Sequence, residues 1–325
     1  MTDEDITWRQ IKFKDFVTLQ RGFDLPKSKR RHGKYPVVAS TTIDGFNDDY
    51  KVEPPCVVTG RSGALGKVQY ITDRCWPLNT ALWVKDFKNN DPRFVYYFLG
   101  TLRLEQYNTG AGVPTLNRNH LDEIDIKVPE KHIQEKISNY LSDFDYLIEN
   151  NTKRIKILED MARLIYHEWF VDFRFPTHED VKMVSSGTEL GKVPEGWEVK
   201  SASKAIDINP RTRITNEGFF VPMDGLSTSS MLISNIQKRE TPSGAKYKNG
   251  DTLFARITPC LENGKTGFVQ FLPNDETVGC GSTEFIVLRS QTLTPEYVYL
   301  LARQDDFRRN AQLSMTGASG RQRVK

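Results

Sequence analysis

Between His132 and Phe170 the apolar positions follow the repeat that helices use to pack against other helices. They alternate in steps of three and four residues, with one polar member. The positions are Leu141, Phe144, Ile148, Asn151, Ile155, Leu158, Ala162, Ile165 and Trp169. A helix of about 40 residues is about 60 Å long, too long to bury this stripe against one small domain. We therefore predict a long helix that packs against a second helix; packing along the chain's own domains is the alternative. Asn151 either sets the register of a helix pair or is a tolerated polar position in an irregular seam.

The regions on either side of this helix have a different pattern, in which short apolar runs alternate with turn residues. The runs typical of strands are Pro55–Thr59, Lys67–Ile71, Ala81–Val84, Thr252–Ala255, Phe268–Phe271 and Phe285–Leu288. A helix is predicted late in each region, from Pro92 through Glu105 in the first and from Pro295 in the second. The pattern predicts an α+β fold, with two mainly β domains joined by a long coiled-coil-type α-helix.

The two regions also repeat each other in sequence. The segment TGAGVPTLNR begins at Thr109 and returns as TGASGRQRVK at Thr316, and Trp8 is matched by Trp197. Two further matches lie between them in the same order, and the separation grows from 189 residues for the tryptophans to 207 for the threonines. An ordered series of this kind predicts two copies of one domain, with extra loop residues in the second copy.

These patterns divide the chain into four parts. We predict a first domain at 1–128, the long spacer helix at 129–176, a linker at 177–195 and a second domain at 196–325. The chain stops at Lys325, at the point where the first copy leads into the long helix. We therefore expect that a second long helix is absent and that the chain is truncated.

Composition narrows the class of protein. Charged residues make up 27% and hydrophobic residues 38%, and no apolar run approaches the roughly 20 residues that cross a bilayer. The N-terminal MTDEDITWRQ is no secretory signal, so we expect a cytoplasmic protein without membrane contact. The four cysteines form no Cys-x-x-Cys pair, and neither a metal site nor a cofactor is predicted. The net charge is +3, but both ends of the chain are modestly basic.

No arrangement of residues predicts catalysis, so binding is the remaining chemistry. Gly60–Val68 resembles a phosphate loop, but Val68 replaces the hydroxyl residue that would hold magnesium. Long donors beside glycines suit contacts to phosphates and base edges. The candidates are Arg61, Ser62, Lys67, Thr109, Gly110, Thr115, Asn117 and Arg118 in the first copy, and Arg256, Thr258, Lys265, Thr316, Gly317, Ser319, Arg321, Gln322 and Arg323 in the second. The alternative is a glycine-rich turn that joins helix to strand. Residues 27–34 hold five more cations, which either follow a phosphate backbone or form a solvated loop.

Five features together resemble the specificity subunit of a type I restriction–modification system. They are the stretch Trp8–Gly22, the glycines from Gly60 to Gly66, the paired Thr-Gly-Ala segments, LDEIDIKVPEKHIQEKISNYLSDFDYLIE and LGKVPEGWEV. The resemblance implies two target recognition domains, each recognising one half of a split DNA sequence. It also implies a spacer helix that docks the DNA methyltransferase subunits and, through them, the restriction subunit.

The resemblance therefore implies a non-catalytic subunit whose partners are double-stranded DNA and methyltransferase subunits. Self-association through the unpaired helix stays open. Two other functions are carried as alternatives: an assembly module with vestigial DNA binding, and an enzyme that acts alone as a nuclease or methyltransferase.

Overall fold

The computed structural model describes residues 7–110, 112–188, 190–213, 218–240, 243–317 and 322–325. Its contacts divide the chain into two compact units, residues 1–150 and 151–325. The boundary falls inside the long helix, and the domain boundaries derived from the sequence stay a prediction. None of the described helices combines the length and the apolar character needed to cross a bilayer.

The first unit is built mainly from short strands. Its elements are β1 (Trp8–Lys12), α1 (Phe13–Phe16), β2 (Thr18–Arg21), β3 (Tyr35–Val38), β4 (Ile43–Asn47), β5 (Cys56–Gly60), β6 (Val68–Ile71), β7 (Trp76–Pro77), β8 (Ala81–Asp86), α2 (Pro92–Thr101), α3 (Arg118–Asp122) and β9 (Asp125–Pro129), followed by the start of α4 (Lys131–Tyr166). An antiparallel sheet has the order β2-β8-β5-β6, and a second sheet has the order β4-β3-β7 with β3 and β7 parallel. Strands β1 and β9 form an antiparallel ribbon.

The second unit repeats this arrangement. After α4 come β10 (Met183–Ser185), β11 (Lys192–Pro194), β12 (Ile206–Ile208), β13 (Phe219–Val221), β14 (Gln237–Lys238), β15 (Ala245–Tyr247), β16 (Thr252–Ala255), β17 (Thr266–Phe268), β18 (Gly279–Gly281), β19 (Phe285–Ser290), α5 (Pro295–Arg303) and α6 (Asp305–Leu313). The antiparallel order β12-β19-β16-β17 matches β2-β8-β5-β6, and β14-β13-β18 matches β4-β3-β7, again with one parallel pair. Strand β15 extends the second sheet. The prediction of an α+β fold with two related domains is confirmed.

The late helix of each unit begins where the sequence predicts. Asp91 accepts a hydrogen bond from the Phe94 amide at 2.7 Å and so caps α2, and Thr294 caps α5 in the same way. The end of the first helix is different. Helix α2 ends at Thr101 instead of Glu105, because Arg103 takes a left-handed backbone conformation with φ +46° and a short 3-10 turn, Leu104–Tyr107, follows.

The long helix predicted from the heptad pattern is present as α4, which spans 36 residues. Trp169, the last predicted position, lies just beyond it in a π-helical turn, His167–Val171. Much of the apolar stripe is exposed to solvent: Ile148 is 65% exposed and Leu158 is 63% exposed. The stripe is therefore not buried along the chain's own domains over most of its length.

Buried polar groups attach the first half of α4 to the first unit. The Gln134 side chain is fully buried; its Oε1 accepts from the Asp91 amide at 3.0 Å, and its Nε2 donates to Asn90 at 2.8 Å and to the Pro129 carbonyl at 3.0 Å. The Ser138 hydroxyl donates to the Asp91 carboxylate at 2.6 Å. One aspartate thus caps α2 and fixes the start of α4, which orients the helix on its domain.

Candidate functional site

In the first unit, the repeated Thr-Gly-Ala segment folds back onto the end of β5. The Leu116 amide donates to the Arg61 carbonyl at 2.8 Å, and the Gly63 amide donates to the Pro114 carbonyl at 2.9 Å. The segment closes on itself through a hydrogen bond from the Thr109 amide to the Thr115 carbonyl, at 2.9 Å. The segment is therefore a closed loop held beside Arg61.

In the second unit, the matching segment is attached in the same way. The Val324 amide donates to the Arg256 carbonyl at 3.0 Å, and the Thr258 amide donates to the Gln322 carbonyl at 3.2 Å. The Thr316 amide donates to the Arg323 carbonyl at 3.0 Å. Arg256 thus takes the place of Arg61, and Arg323 takes the place of Thr115. The second loop is one residue longer between its closing partners.

Asn108 and Gly110 determine the shape of the first loop. The Asn108 Oδ1 accepts from the Gly110 amide at 2.9 Å and from the Thr115 amide at 2.8 Å. A side chain at Gly110 has no room, because a Cβ there would overlap the Val113 carbonyl oxygen. Gly112, two residues later, has open space around it. The glycine at 110 is therefore a steric requirement of the loop.

We expect the substitution Gly110→Ala to open this loop without unfolding the unit. Overpacking of this kind costs about 1–3 kcal/mol, so amide hydrogen exchange at Thr109, Thr115 and Leu116 should become roughly 10- to 100-fold faster. The matched control is Gly112→Ala, which should leave the exchange rates unchanged. Equal exchange in the two variants, measured by hydrogen–deuterium exchange, would contradict the steric argument.

A polar cleft of about 810 Å³ lies between this loop and the end of β2. Polar side chains dominate its lining. They are Gln20, Arg21, Arg61, Thr109, Thr115, Asn117, Arg118 and Asn119. Asp24 is the one acid among the described residues that line it. The Arg61 Nη1 donates to the Asn79 carbonyl at 3.1 Å, so this half-buried arginine fixes the floor of the cleft.

The second unit has a cleft of about 730 Å³ that also contains its equivalent arginine, Arg256, and the residues that follow β12. It is more cationic, since Arg211, Arg213 and Lys246 join Arg256, and none of the described residues lining it is acidic. None of these three cations is among the DNA-binding candidates predicted from the sequence. They are brought together by the loop after β12 and by β15, so no local motif marks them.

The remaining candidates from the sequence have different surroundings. Lys67 and Arg118 are exposed, whereas the Lys265 ammonium is half-buried and donates to the Met223 carbonyl at 2.9 Å. Asn117 caps α3 by accepting from the Asn119 amide. The Ser62 carbonyl accepts a hydrogen bond from the Ser40 hydroxyl.

The candidates in the second loop also differ in their surroundings. Gln322 is exposed and the Thr258 hydroxyl is buried. Gly317 has a left-handed backbone with φ +128°. Ser319 and Arg321 lie outside the described residues.

Carboxylates neutralise four of the cations that the sequence offered as DNA contacts. In the basic loop of the first unit, Arg30 and Lys27 pair with Asp44, and Arg31 pairs with Asp48. In the second unit, the Arg323 guanidinium pairs with both oxygens of Glu284 at 2.7 to 3.0 Å, and this contact lowers the pKa of Glu284 below its usual value. The loop 27–34 is therefore less cationic than its sequence suggests.

Comparison with known proteins places these features in one family. Residues 5–160 match the family model of the type I restriction modification DNA specificity domain. The type I restriction enzyme MjaIX specificity subunit of Methanocaldococcus jannaschii is 38% identical over 196 residues, which cover 55% of this chain and 44% of that protein. The EcoAI specificity subunit of Escherichia coli is 30% identical over 142 residues, or 41% of this chain and 24% of that protein.

The aligned segments thus span less than half the length of these relatives. A solved structure, the type I restriction–modification S subunit from M. genitalium, resembles the fold over 96% of this chain and 81% of that chain, with a TM-score of 0.59 and 16% identity. The domain match, the sequence relatives and the shared fold agree with the motifs identified from the sequence. Residues 5–160 thus match the DNA specificity domain of type I restriction–modification systems, and the chain is similar to type I specificity subunits.

Proposed function

We propose that this chain is the non-catalytic DNA-recognition component of a type I restriction–modification complex. Each unit presents its cleft to one half of a bipartite DNA sequence. The observation that carries the proposal is a repeated arrangement: on matching sheets, the same arginine position anchors the same loop through its carbonyl and also lines a polar cleft. Two copies of a binding surface suit a target with two parts.

The chemistry of the clefts supports nucleic acid as the ligand. Arginine and lysine side chains that share a cleft with no acid attract phosphates, and the described lining of the second cleft has three such cations besides Arg256, namely Arg211, Arg213 and Lys246. Arginine, glutamine and asparagine side chains also form paired hydrogen bonds with base edges, and the first cleft contains all three types. The candidates selected from the sequence are therefore proposed as DNA contacts where their side chains face a cleft, as Arg118 does. Arg61 and Asn117 also line the cleft, but their contacts assign them to loop support.

The proposed partner surface is the exposed apolar stripe on α4. The stripe residues from Leu141 to Ile165 lie on one helix, and most of the large ones remain solvent-exposed. An exposed apolar area of this extent marks a surface that another protein covers. We assign it to helices of the methyltransferase subunits, the components that a specificity subunit must bring to DNA.

The test is DNA selection from a randomised pool by the chain in complex with its methyltransferase subunits. We expect enrichment of two short motifs separated by a fixed gap. The variant Arg118→Gln should relax selection in one motif only, and each lost base contact is worth about 1–3 kcal/mol. Arg9→Gln is the matched control, because Arg9 is an exposed cation on β1 outside the cleft.

Enrichment of a single unsplit motif, or of none, would refute the proposal. The purified chain alone should show no methyl transfer from S-adenosylmethionine and no cleavage of plasmid DNA. Turnover by the chain alone would instead favour an enzyme.

A further inference from the structure

The second unit has an ion pair where the first unit has two threonines. The Arg256 amide donates to the Glu284 carbonyl at 2.9 Å, just as the Arg61 amide donates to the Thr80 carbonyl at 2.9 Å. Glu284 therefore stands at the place of Thr80. Arg323 stands at the place of Thr115, as the closing hydrogen bonds of the two loops show. Both positions therefore differ between the units, and the two residues that differ contact each other in the second unit.

The ion pair between Arg323 and Glu284 contributes little to the stability of the second unit. The Arg323 side chain is 48% exposed and that of Glu284 is 22% exposed. Ion pairs that reach solvent contribute little to stability, because water screens them. A bidentate contact does fix the plane and direction of a guanidinium group, which a flexible arginine otherwise lacks.

The contact with Glu284 leaves part of the hydrogen-bonding capacity of the Arg323 guanidinium unused. The carboxylate accepts from Nε and from Nη2. A guanidinium has five N–H groups, so the two on Nη1 and one on Nη2 remain for another acceptor. These groups form a fork that matches the O6 and N7 acceptors of guanine in the major groove. Neither side chain of the pair is among the described residues that line the second cleft, but Arg256, Thr283 and Phe285, which lie next to Glu284, do line it.

We propose that Arg323 recognises a guanine in the half-site bound by the second unit, and that Glu284 is the positioning residue that directs its donor fork. The inference rests on the proposed function, because it requires that the second unit contact DNA. It assigns a base and a residue pair to that contact. The first unit, with Thr80 and Thr115 at these places, has no equivalent guanine contact.

The experiment uses the chain in complex with its methyltransferase subunits and the DNA that it selects. Each guanine of the second half-site is replaced in turn by 7-deazaguanine, which lacks the N7 acceptor. We expect one replacement to weaken wild-type binding roughly five- to 150-fold. Arg323→Gln should remove the sensitivity to that replacement. Arg323→Lys keeps the charge but lacks the fork, so it should bind DNA and still lose the discrimination.

The variant Glu284→Gln tests whether Glu284 orients the Arg323 guanidinium. It should reduce the discrimination while strengthening binding to unrelated DNA, because the released Arg323 reaches a phosphate and the salt slope steepens by about 0.9. The losses from Glu284→Gln and Arg323→Gln should not add, since both remove one directed contact. Arg309→Gln, an exposed cation of the same unit, is the control.

Two outcomes would overturn this inference while leaving the proposed function intact. One is a wild-type complex that selects a bipartite DNA without any guanine contact by the second unit. The other is unchanged discrimination in Arg323→Gln and Arg323→Lys, with only the thermal unfolding temperature lowered, which would assign the pair to loop support. A wild-type complex that selects no DNA would refute the proposed function itself.

Discussion

The triple variant Arg211→Gln, Arg213→Gln and Lys246→Gln is expected to bind DNA roughly 10²-fold more weakly than the wild-type chain near physiological salt. All three side chains line the second cleft, and none of them faces an acidic residue among the described lining residues. Each cation that neutralises a phosphate releases condensed counterions, so removing three should make the slope of log affinity against log salt less steep by about 2.7.

The matched control removes three cations of the same unit that do not line the cleft, in Lys192→Gln, Lys204→Gln and Arg309→Gln. These side chains are exposed. Both triple variants lower the formal net charge from +3 to zero, so any difference between them reports position and not total charge. Affinity is measured by fluorescence anisotropy over a salt series. Equal slopes for the two variants would show that the second cleft does not hold the DNA backbone.

The long helix and the duplication were predictable because each depends on residues that repeat in sequence. Steps of three and four residues identify a helix face wherever they occur, and α4 follows the predicted positions as far as Ile165. The Thr-Gly-Ala segments marked the two loops because the loop itself requires a glycine, as the crowded site at Gly110 shows. Local sequence is sufficient for features of this kind.

The composition of the second cleft was not predictable in this way. Lys246 reaches Arg211 and Arg213 only through the pairing of β15 with β18, and no spacing in the sequence reports that contact. The same holds for Arg323, whose partner Glu284 lies 39 residues earlier. Lys265 illustrates the converse: its position beside a glycine suggests a phosphate contact, but its ammonium is used by the Met223 carbonyl. Contacts between residues that are distant in the sequence decide which cations remain available to bind DNA.

The substitution Asp251→Asn is expected to lower the free energy of unfolding of the second unit by about 3 kcal/mol. The Asp251 side chain is 1% exposed, and its two oxygens accept from Arg289 Nε at 2.7 Å and Nη2 at 2.6 Å. It also accepts from the Lys248 amide at 2.7 Å. An asparagine of the same shape would direct an NH₂ group at these donors and remove the carboxylate that Arg289 contacts. We place the effect at the lower end for a buried pair, because the Arg289 side chain is 28% exposed and water can reach it.

Asp275→Asn is the control for this substitution. Asp275 borders the same pocket as Asp251 and Arg289, but it is exposed, so the same chemical change should cost less than about 0.5 kcal/mol. The free energies come from urea denaturation followed by intrinsic tryptophan fluorescence. The ion pair joins Asp251, the residue before β16, to Arg289 on β19. The other end of β16 leads into Arg256, so Asp251→Asn should also weaken DNA binding at temperatures where the second unit begins to unfold. A loss of stability no larger than that of Asp275→Asn would mean that solvent compensates the arginine, and that the hydrogen bonds of the sheet alone hold the cleft in place.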